Sequence, residues 1–311
     1  MRRFGYCCIN MTLGEDAKKE DRITTNRAMT KKTFLERGLS YASEIALQNC
    51  KDLVKIIDWN NQMGIKMYRM SSDIFPWASE YEFENLKDIE EIKTVLVEAG
   101  NNAKSGGQRI TFHPSPYGVL ASLREDVVKN AIKELRQHGE IMDMMGLERN
   151  HFYPINIHVN TTKPTKEEAA ERFCQNFSLL PETVKLRLVV EVDDKKSQYK
   201  AEDLYHMVHK KIGIPITFDF HHNKCNPSDF PEKEALELCL STWPEGIPAI
   251  THFSGSKRDH EDPSAKDVAH SDWLYEKIET YGLEFDIELE VKQKEKALLR
   301  YNTDIEKVLY E

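Results

Sequence analysis

Histidine and carboxylate side chains recur at the ends of short apolar runs in this sequence. They are His113, His158, Glu191, Asp219, His252 and Glu290, and His221 and His222 come directly after Asp219. Such groups are costly to bury beside apolar strands unless something compensates their desolvation. One residue of this kind has an ordinary explanation as a satisfied core or surface side chain. Its recurrence on successive runs indicates a metal site.

The types of ligand narrow the choice of metal. Imidazole and carboxylate groups without thiolates fit zinc, manganese, iron or cobalt, and they disfavour the all-oxygen cages typical of calcium or magnesium. Because there are more candidate ligands than one ion needs, we expect two or three divalent ions that share bridging carboxylates. Manganese is preferred, with zinc, cobalt or magnesium as alternatives. Sites with two metals about 3.5 to 4 Å apart commonly catalyse phosphodiester hydrolysis.

The elements that must position these residues alternate regularly. Short runs typical of strands cover residues 3–8, 65–70, 109–113, 155–159, 186–192, 214–220, 249–253 and 283–289. Apolar spacing of three and four predicts helices over residues 41–63, 86–98, 120–145, 166–180, 202–212, 233–241, 272–281 and 292–309. Eight such units of roughly 35 residues predict an α/β fold, the (β/α)8 TIM barrel, with its active site at the C-terminal ends of the strands. The competing doubly wound sheet requires a glycine-rich phosphate loop, and neither GxGxxG nor GxxxxGK[ST] is present.

We expect one domain over residues 1–311. No apolar run approaches the roughly 18 residues that span a bilayer, and the N-terminus lacks the apolar region of a signal peptide. These features predict an intracellular protein, either cytoplasmic or, in a eukaryote, nuclear. No CxxC pair is present, and we expect a monomer without an obligate protein partner.

The charge balance argues against simple electrostatic capture of nucleic acid. There are 43 Lys plus Arg against 52 Asp plus Glu, which gives a formal net charge of −9. Proteins that bind DNA mainly through phosphate contacts usually show a basic composition. Two or three divalent ions would add roughly +4 to +6 at the rim where a phosphate has to lie. Affinity for DNA is therefore expected to depend on the bound metal.

Nearly the whole chain resembles the UV damage endonucleases of the endonuclease IV-like barrel group. The segments that carry the resemblance are FGYCCINMTLG (4–14), TTNR (24–27), YRMSSDIFPWAS (68–79), TFHPSPY (111–117), the strand that ends at His158, VVEVDD (189–194), DFHH (219–222), HFSGS (252–256), VAHSDW (268–273) and IELEVKQKE (287–295). Each segment alone is weakly specific, but their order together is specific.

The resemblance implies an enzyme that cuts duplex DNA immediately 5′ of a damaged site and leaves a 3′ hydroxyl and a 5′ phosphate. Its substrates would be pyrimidine dimers, 6-4 photoproducts and abasic sites. The resemblance assigns one ion to His113, His158 and Glu191, a second to Glu191, Asp219, His252 and Glu290, and a third to His222 and His270. Glu191 and Glu290 would be the catalytic carboxylates, and a hydroxide shared by the metals would attack phosphorus. His222 is preferred over His221 because the family spacing is Asp, two residues, then His.

Aromatic and polar residues on the rim are the predicted contacts with damaged DNA, since extruded bases stack on aromatic side chains. The resemblance places Tyr6 and Tyr117 there, although either one is equally well explained as an ordinary rim tyrosine. Asn10 is a candidate partner for a flipped nucleotide, and Lys292 for a phosphate.

Two positions depart from the family pattern. Ile250 replaces a lysine that is reported as a metal-binding carbamate, and Pro116 replaces a glutamine of the probing wedge. These departures put the ligands of the third ion and the lesion preference in question.

Two other functions remain open. Metal-dependent sugar isomerases and epimerases use similar barrels, and fold alone does not separate them from nucleases. The number of imidazoles and the loop aromatics favour DNA. A non-catalytic damage-binding protein would be expected to lack some of the ligands, and the predicted set is complete.

Overall fold

The computed structural model describes residues 2–15, 17–19 and 21–301. Eight parallel strands form a closed barrel in the order of the sequence. They are β1 Phe4–Cys7, β2 Met67–Met70, β3 Arg109–Phe112, β4 Ile155–Ile157, β5 Leu188–Glu191, β6 Ile216–Asp219, β7 Ile250–Phe253 and β8 Asp286–Leu289. The predicted TIM barrel is confirmed, and each strand lies within the segment predicted for it.

The strands are buried on both faces because helices cover the outside and side chains fill the inside. Seven of the strands have a buried residue at every position, and only Phe4 in β1 is half-buried. Strands of this kind are near-continuous apolar runs, which is why the sequence marks them clearly. The exceptions are charged residues that alternate along the inward face, among them Arg69, Arg109, Asp286 and Glu288.

Helices surround the barrel. They are α1 Lys31–Gln62, α2 Ile89–Ser105, α3 Glu125–Met144, α4 Lys166–Phe177, α5 Glu182–Lys185, α6 Ala201–Leu204, α7 Lys210–Ile212, α8 Phe220–Cys225, α9 Glu232–Leu240 and α10 Lys257–His260, with a π-helical turn Tyr205–His209 between α6 and α7. A further helix begins at residue 294 and is described to residue 301. The remainder of the helix predicted to residue 309 lies outside the described residues. Within the described chain, no helix combines the length and the apolar character needed to cross a bilayer.

Two helix predictions differ most from the structure, and α2 also ends seven residues beyond the predicted position 98. The helix α1 begins ten residues earlier than predicted, at Lys31, where Thr30 caps its N-terminus, and it is kinked at Gly38, whose φ of 67° lies in the left-handed region. The helix predicted over residues 272–281 is wrong, because this segment is irregular. The backbone N–H of Ile278, which in a helix would donate to the Leu274 carbonyl oxygen, donates instead to the Tyr301 hydroxyl at 2.9 Å.

Candidate metal centre

The strand ends bring the predicted ligands to one rim of the barrel. Glu191 and Asp219 are the last residues of β5 and β6, His252 lies near the end of β7, and His113, His158 and Glu290 come directly after β3, β4 and β8. Parallel pairing places the ends of neighbouring strands side by side, as between Asp219 and His252. The six residues fall into two groups whose ligand atoms lie within 4.8 Å of one another, namely His113, His158 and Glu191, and Glu191, Asp219, His252 and Glu290.

Glu191 belongs to both groups and offers a different oxygen to each. Its Oε2 lies 3.2 Å from His113 Nε2 and 3.7 Å from His158 Nε2. Its Oε1 lies 3.0 Å from His252 Nδ1. The carboxylate is fully buried. This arrangement suits a carboxylate that bridges two ions.

The second group converges on the Nδ1 atom of His252. This atom lies 3.3 Å from Glu290 Oε1 and 4.0 Å from Asp219 Oδ2. Glu191 Oε1 and Asp219 Oδ2 are buried, and within the described residues neither has a hydrogen-bond partner. Buried oxygens that lie close to a nitrogen without hydrogen-bond geometry are expected when the groups point at a common cation. The residues present therefore fit a metal ion, as unsatisfied buried carboxylate oxygens require a partner.

Groups around the site fix the orientation of the imidazoles. His113 Nδ1 lies 3.1 Å from the carbonyl oxygen of Pro114, so it donates there and leaves Nε2 for an ion. A partner of this kind holds a ligating histidine in one tautomer and raises its basicity. His158 Nδ1 lies 3.2 Å from Asp193 Oδ1, close enough for an ion pair but without hydrogen-bond geometry. Asn156, on β4, donates to Glu191 Oε2 in a short hydrogen bond.

Neighbouring charges shift the pKa values of the ligand side chains. Burial would raise the pKa of Glu191, but the neighbouring His252 and His158 hold it well below its usual range. Burial would likewise raise the pKa of Glu290, which Arg69 and His252 keep low. Burial would lower the pKa of His252, and Glu191 instead raises it to about 10. Without metal, imidazolium groups thus neutralise the carboxylates, and an ion must displace their protons.

The residues proposed for a third ion lie on the same rim. The ring centroids of His222 and His270 are 6.4 Å apart, and His222 Nδ1 lies 2.9 Å from the Val192 carbonyl oxygen. Among the described residues, neither histidine joins a group of three close ligand atoms. His221 packs against His270 instead, with ring centroids 5.2 Å apart. Ile250 is buried and offers no ligand atom. The third ion stays a prediction.

Sequence reasoning missed two charged residues beneath the ligands. Arg69 of β2 and Glu288 of β8 are buried inside the barrel, where the Arg69 guanidinium pairs with both Glu288 and Glu290 at 2.6 Å. The sequence did mark both positions, since each is a charged residue within a run typical of a strand. Glu288 also lies two positions before the predicted ligand Glu290.

Two of the predicted lesion contacts, Tyr6 and Asn10, have buried side chains in the structure. The Tyr6 hydroxyl donates to Asn60 Oδ1 and accepts from Asn10 Nδ2, both at 2.9 Å, and Asn10 Oδ1 accepts from the Leu13 N–H. These bonds hold the loop after β1, and contact of either residue with a lesion stays a prediction.

Other predicted contacts are accessible. Tyr117 is 87% exposed and, with the exposed Pro116, lies in the loop after β3, while Lys292 is exposed beyond β8. The cations of α10 are neutralised in part. Lys257 lies 3.2 Å from Asp272, and Arg258 pairs closely with Asp267.

The chain is similar to known proteins over nearly its whole length. The model of the family described as UV-endonuclease UvdE matches residues 2–309. The UV-damage endonuclease of Schizosaccharomyces pombe is 32% identical over 95% of this chain, which spans 49% of that protein's length. A putative UV-damage endonuclease of Acanthamoeba polyphaga mimivirus is 30% identical, with 96% of this chain and 89% of that one covered.

Among solved structures, the crystal structure of SacUVDE matches with a TM-score of 0.84 at 29% identity, and the match covers 99% of both chains. Endonuclease IV from Thermus thermophilus has a TM-score of 0.56 at 14% identity over 83% of this chain and 94% of that one. A D-psicose 3-epimerase from Clostridium cellulolyticum has a TM-score of 0.52 at 14% identity over 78% of this chain and 83% of that one. The last two likenesses show the barrel fold alone. The family match covers both ligand groups, and the chain belongs to the UV-endonuclease UvdE family, a family of endonucleases.

Proposed function

We propose that this single-domain protein nicks duplex DNA immediately 5′ to UV photoproducts and abasic sites, leaving a 3′ hydroxyl and a 5′ phosphate. The observation that carries the proposal is the buried Glu191 carboxylate, which faces one ligand group with each oxygen. Family membership supports DNA as the substrate. The names of the relatives support UV damage as the feature recognised.

His113, His158 and Glu191 would hold one divalent ion, and Glu191, Asp219, His252 and Glu290 a second. His222 and His270 would contribute to a third. Bound ions, with manganese preferred, lower the pKa of water and stabilise the charge on the leaving oxygen. No side chain of the protein has to act as the nucleophile. Glu191 and Glu290, kept ionised by their cationic neighbours, supply the negative charge that retains the ions.

Lesion recognition falls to the loop after β3 in this proposal. Tyr117 is the exposed aromatic residue beside His113, and a Pro116–Tyr117 tip has the shape to enter a bent duplex. Lys292, which is exposed two residues beyond Glu290, would contact a phosphate. Tyr6 and Asn10 support the loop after β1 from below.

An end-labelled duplex with one defined pyrimidine dimer tests the proposal. With Mn²⁺ we expect one product that ends at the phosphodiester 5′ to the dimer, and an unmodified duplex or added EDTA should give none. The variant Glu191→Gln keeps the shape of the side chain and should abolish the product. Absence of incision with Mn²⁺, Co²⁺ and Zn²⁺ alike, or full activity of Glu191→Gln, would overturn the proposal.

A further inference from the structure

Charged side chains fill the barrel in layers below the metal centre. The lower layer is the Arg109–Asp286 pair, with Nη1 and Oδ2 2.9 Å apart. The layer above it is the Arg69–Glu288 pair, with Nη2 and Oε2 2.6 Å apart, and Thr111 donates to the other Glu288 oxygen at 2.8 Å. All four charged residues are buried. Only the upper pair contacts the ligand groups.

The contacts of the upper pair are directed at two residues of the second ligand group. Arg69 Nη1 lies 2.6 Å from Glu290 Oε1. Arg69 Nη2 and Glu288 Oε2 lie 2.9 and 3.3 Å from His252 Nε2. The pair therefore reaches the ring nitrogen of His252 that faces away from Glu191.

The two nitrogens of His252 are coupled by the chemistry of imidazole. Nδ1 faces Glu191 and Glu290, so an ion in this group takes the Nδ1 lone pair and the proton resides on Nε2. That N–H needs an acceptor, and a guanidinium has donors only. Glu288 Oε2 is the acceptor within reach.

We propose that Arg69 and Glu288 are positioning residues of the metal centre. Glu288 holds His252 in the tautomer that ligates through Nδ1, and Arg69 fixes the Glu290 carboxylate beside it. Partners of this kind typically contribute a factor of about 10 to 100 in metal affinity. The inference rests on the metal centre of the proposed function.

The lower pair supplies a matched control. Glu288→Gln and Asp286→Asn each remove one buried charge from the same strand, but Asp286 lies two positions further from the ligands. The first variant leaves Arg69 without Glu288, and the second leaves Arg109 and the partly exposed Arg3 without Asp286. A double variant, Arg69→Met with Glu288→Met, removes both charges of the upper pair together and leaves Glu290 beside His252, 3.3 Å from its Nδ1. Replacing a buried ion pair by apolar residues of similar volume is often neutral or stabilising.

The experiment titrates the purified proteins with Mn²⁺ and measures free Mn²⁺ by electron paramagnetic resonance, with melting followed by circular dichroism. We expect Glu288→Gln and the double variant to fold and to bind Mn²⁺ about 10 to 100 times more weakly than the wild type. Asp286→Asn should bind within about threefold of the wild type even where its melting temperature falls.

Three results would overturn the positioning role. They are wild-type Mn²⁺ affinity in the double variant, an equal loss of affinity in Asp286→Asn, and failure of both Glu288 variants to fold while Asp286→Asn folds. If the wild-type protein itself bound no Mn²⁺, the proposed metal centre would fail and this inference with it. If the wild type binds Mn²⁺ and the variants bind it equally well, the inference fails and the proposed metal centre stands.

Discussion

Mn²⁺ binding should be coupled to release of the proton on His252. Burial alone would lower the pKa of this imidazole, but Glu191 raises it to about 10. At pH 7 the metal-free ring is therefore protonated, and its Nδ1 cannot ligate until the proton leaves. A gap of about 3 pH units corresponds to about 4 kcal/mol, or an affinity about a thousandfold below that of the deprotonated site.

The sign of the pH dependence follows from this state. Below pH 10 each proton displaced lowers the apparent affinity about tenfold per unit fall in pH. The pKa values of His158 and His222 are also raised: burial lowers them, but Glu191 chiefly opposes it for His158 and Asp219 for His222. Glu191 and Glu290 have low pKa values and release no proton. We therefore expect the logarithm of the affinity to rise by at least one per pH unit.

Isothermal titration at pH 6.5, 7.5 and 8.5, in buffers of different ionisation enthalpy, measures both the affinity and the protons released. The matched control is His138→Gln. Burial lowers the pKa of His138 to about 4, so its imidazole is already neutral across this pH range. Affinity that is flat across this range, or binding without proton release, would refute the reasoning.

Two further predictions concern the rim and the outer helices. Tyr117→Ala should leave the melting temperature nearly unchanged because the side chain is 87% exposed. Loss of its stacking on a base, about 1 to 3 kcal/mol, should weaken binding of a dimer-containing duplex. The control is Leu123→Ala, which removes another exposed side chain. Equal binding by both variants in a fluorescence anisotropy titration would exclude the wedge role. Gly100→Ala should destabilise the fold by about 1 to 3 kcal/mol, because an added Cβ would lie 1.8 Å from the Met145 carbonyl oxygen. Urea unfolding measures this loss, and an unchanged midpoint would show that α2 and the end of α3 separate at little cost.

The barrel was predictable because burial on both faces leaves continuous apolar runs, which alternate with helical spacing. The six strand-end residues were predictable for a related reason, since imidazoles and carboxylates stand out against such runs. The structure brings all six into two groups. The segment 272–281 misled the prediction, because an N–H group inside it, that of Ile278, bonds to the Tyr301 hydroxyl of the last described helix instead of to a carbonyl oxygen of its own segment.

The roles of several other residues depend on three-dimensional contacts that spacing does not encode. The partnership of Arg69 with Glu288 requires β2 and β8 to lie on either side of β1, a relation set by closure of the sheet. Tyr6 is buried against α1, where Asn60 accepts a hydrogen bond from its hydroxyl group. An aromatic residue near a strand end looks the same in the sequence whether it faces a base or a helix.

The most direct test of the account is anomalous diffraction from a crystal of the protein grown with Mn²⁺. Among the manganese peaks we predict two that lie about 3.5 to 4 Å apart, one bound by His113 and His158 and the other by Asp219, His252 and Glu290. One oxygen of Glu191 should bind each ion. A single peak, or two peaks without Glu191 between them, would contradict the bridged metal centre.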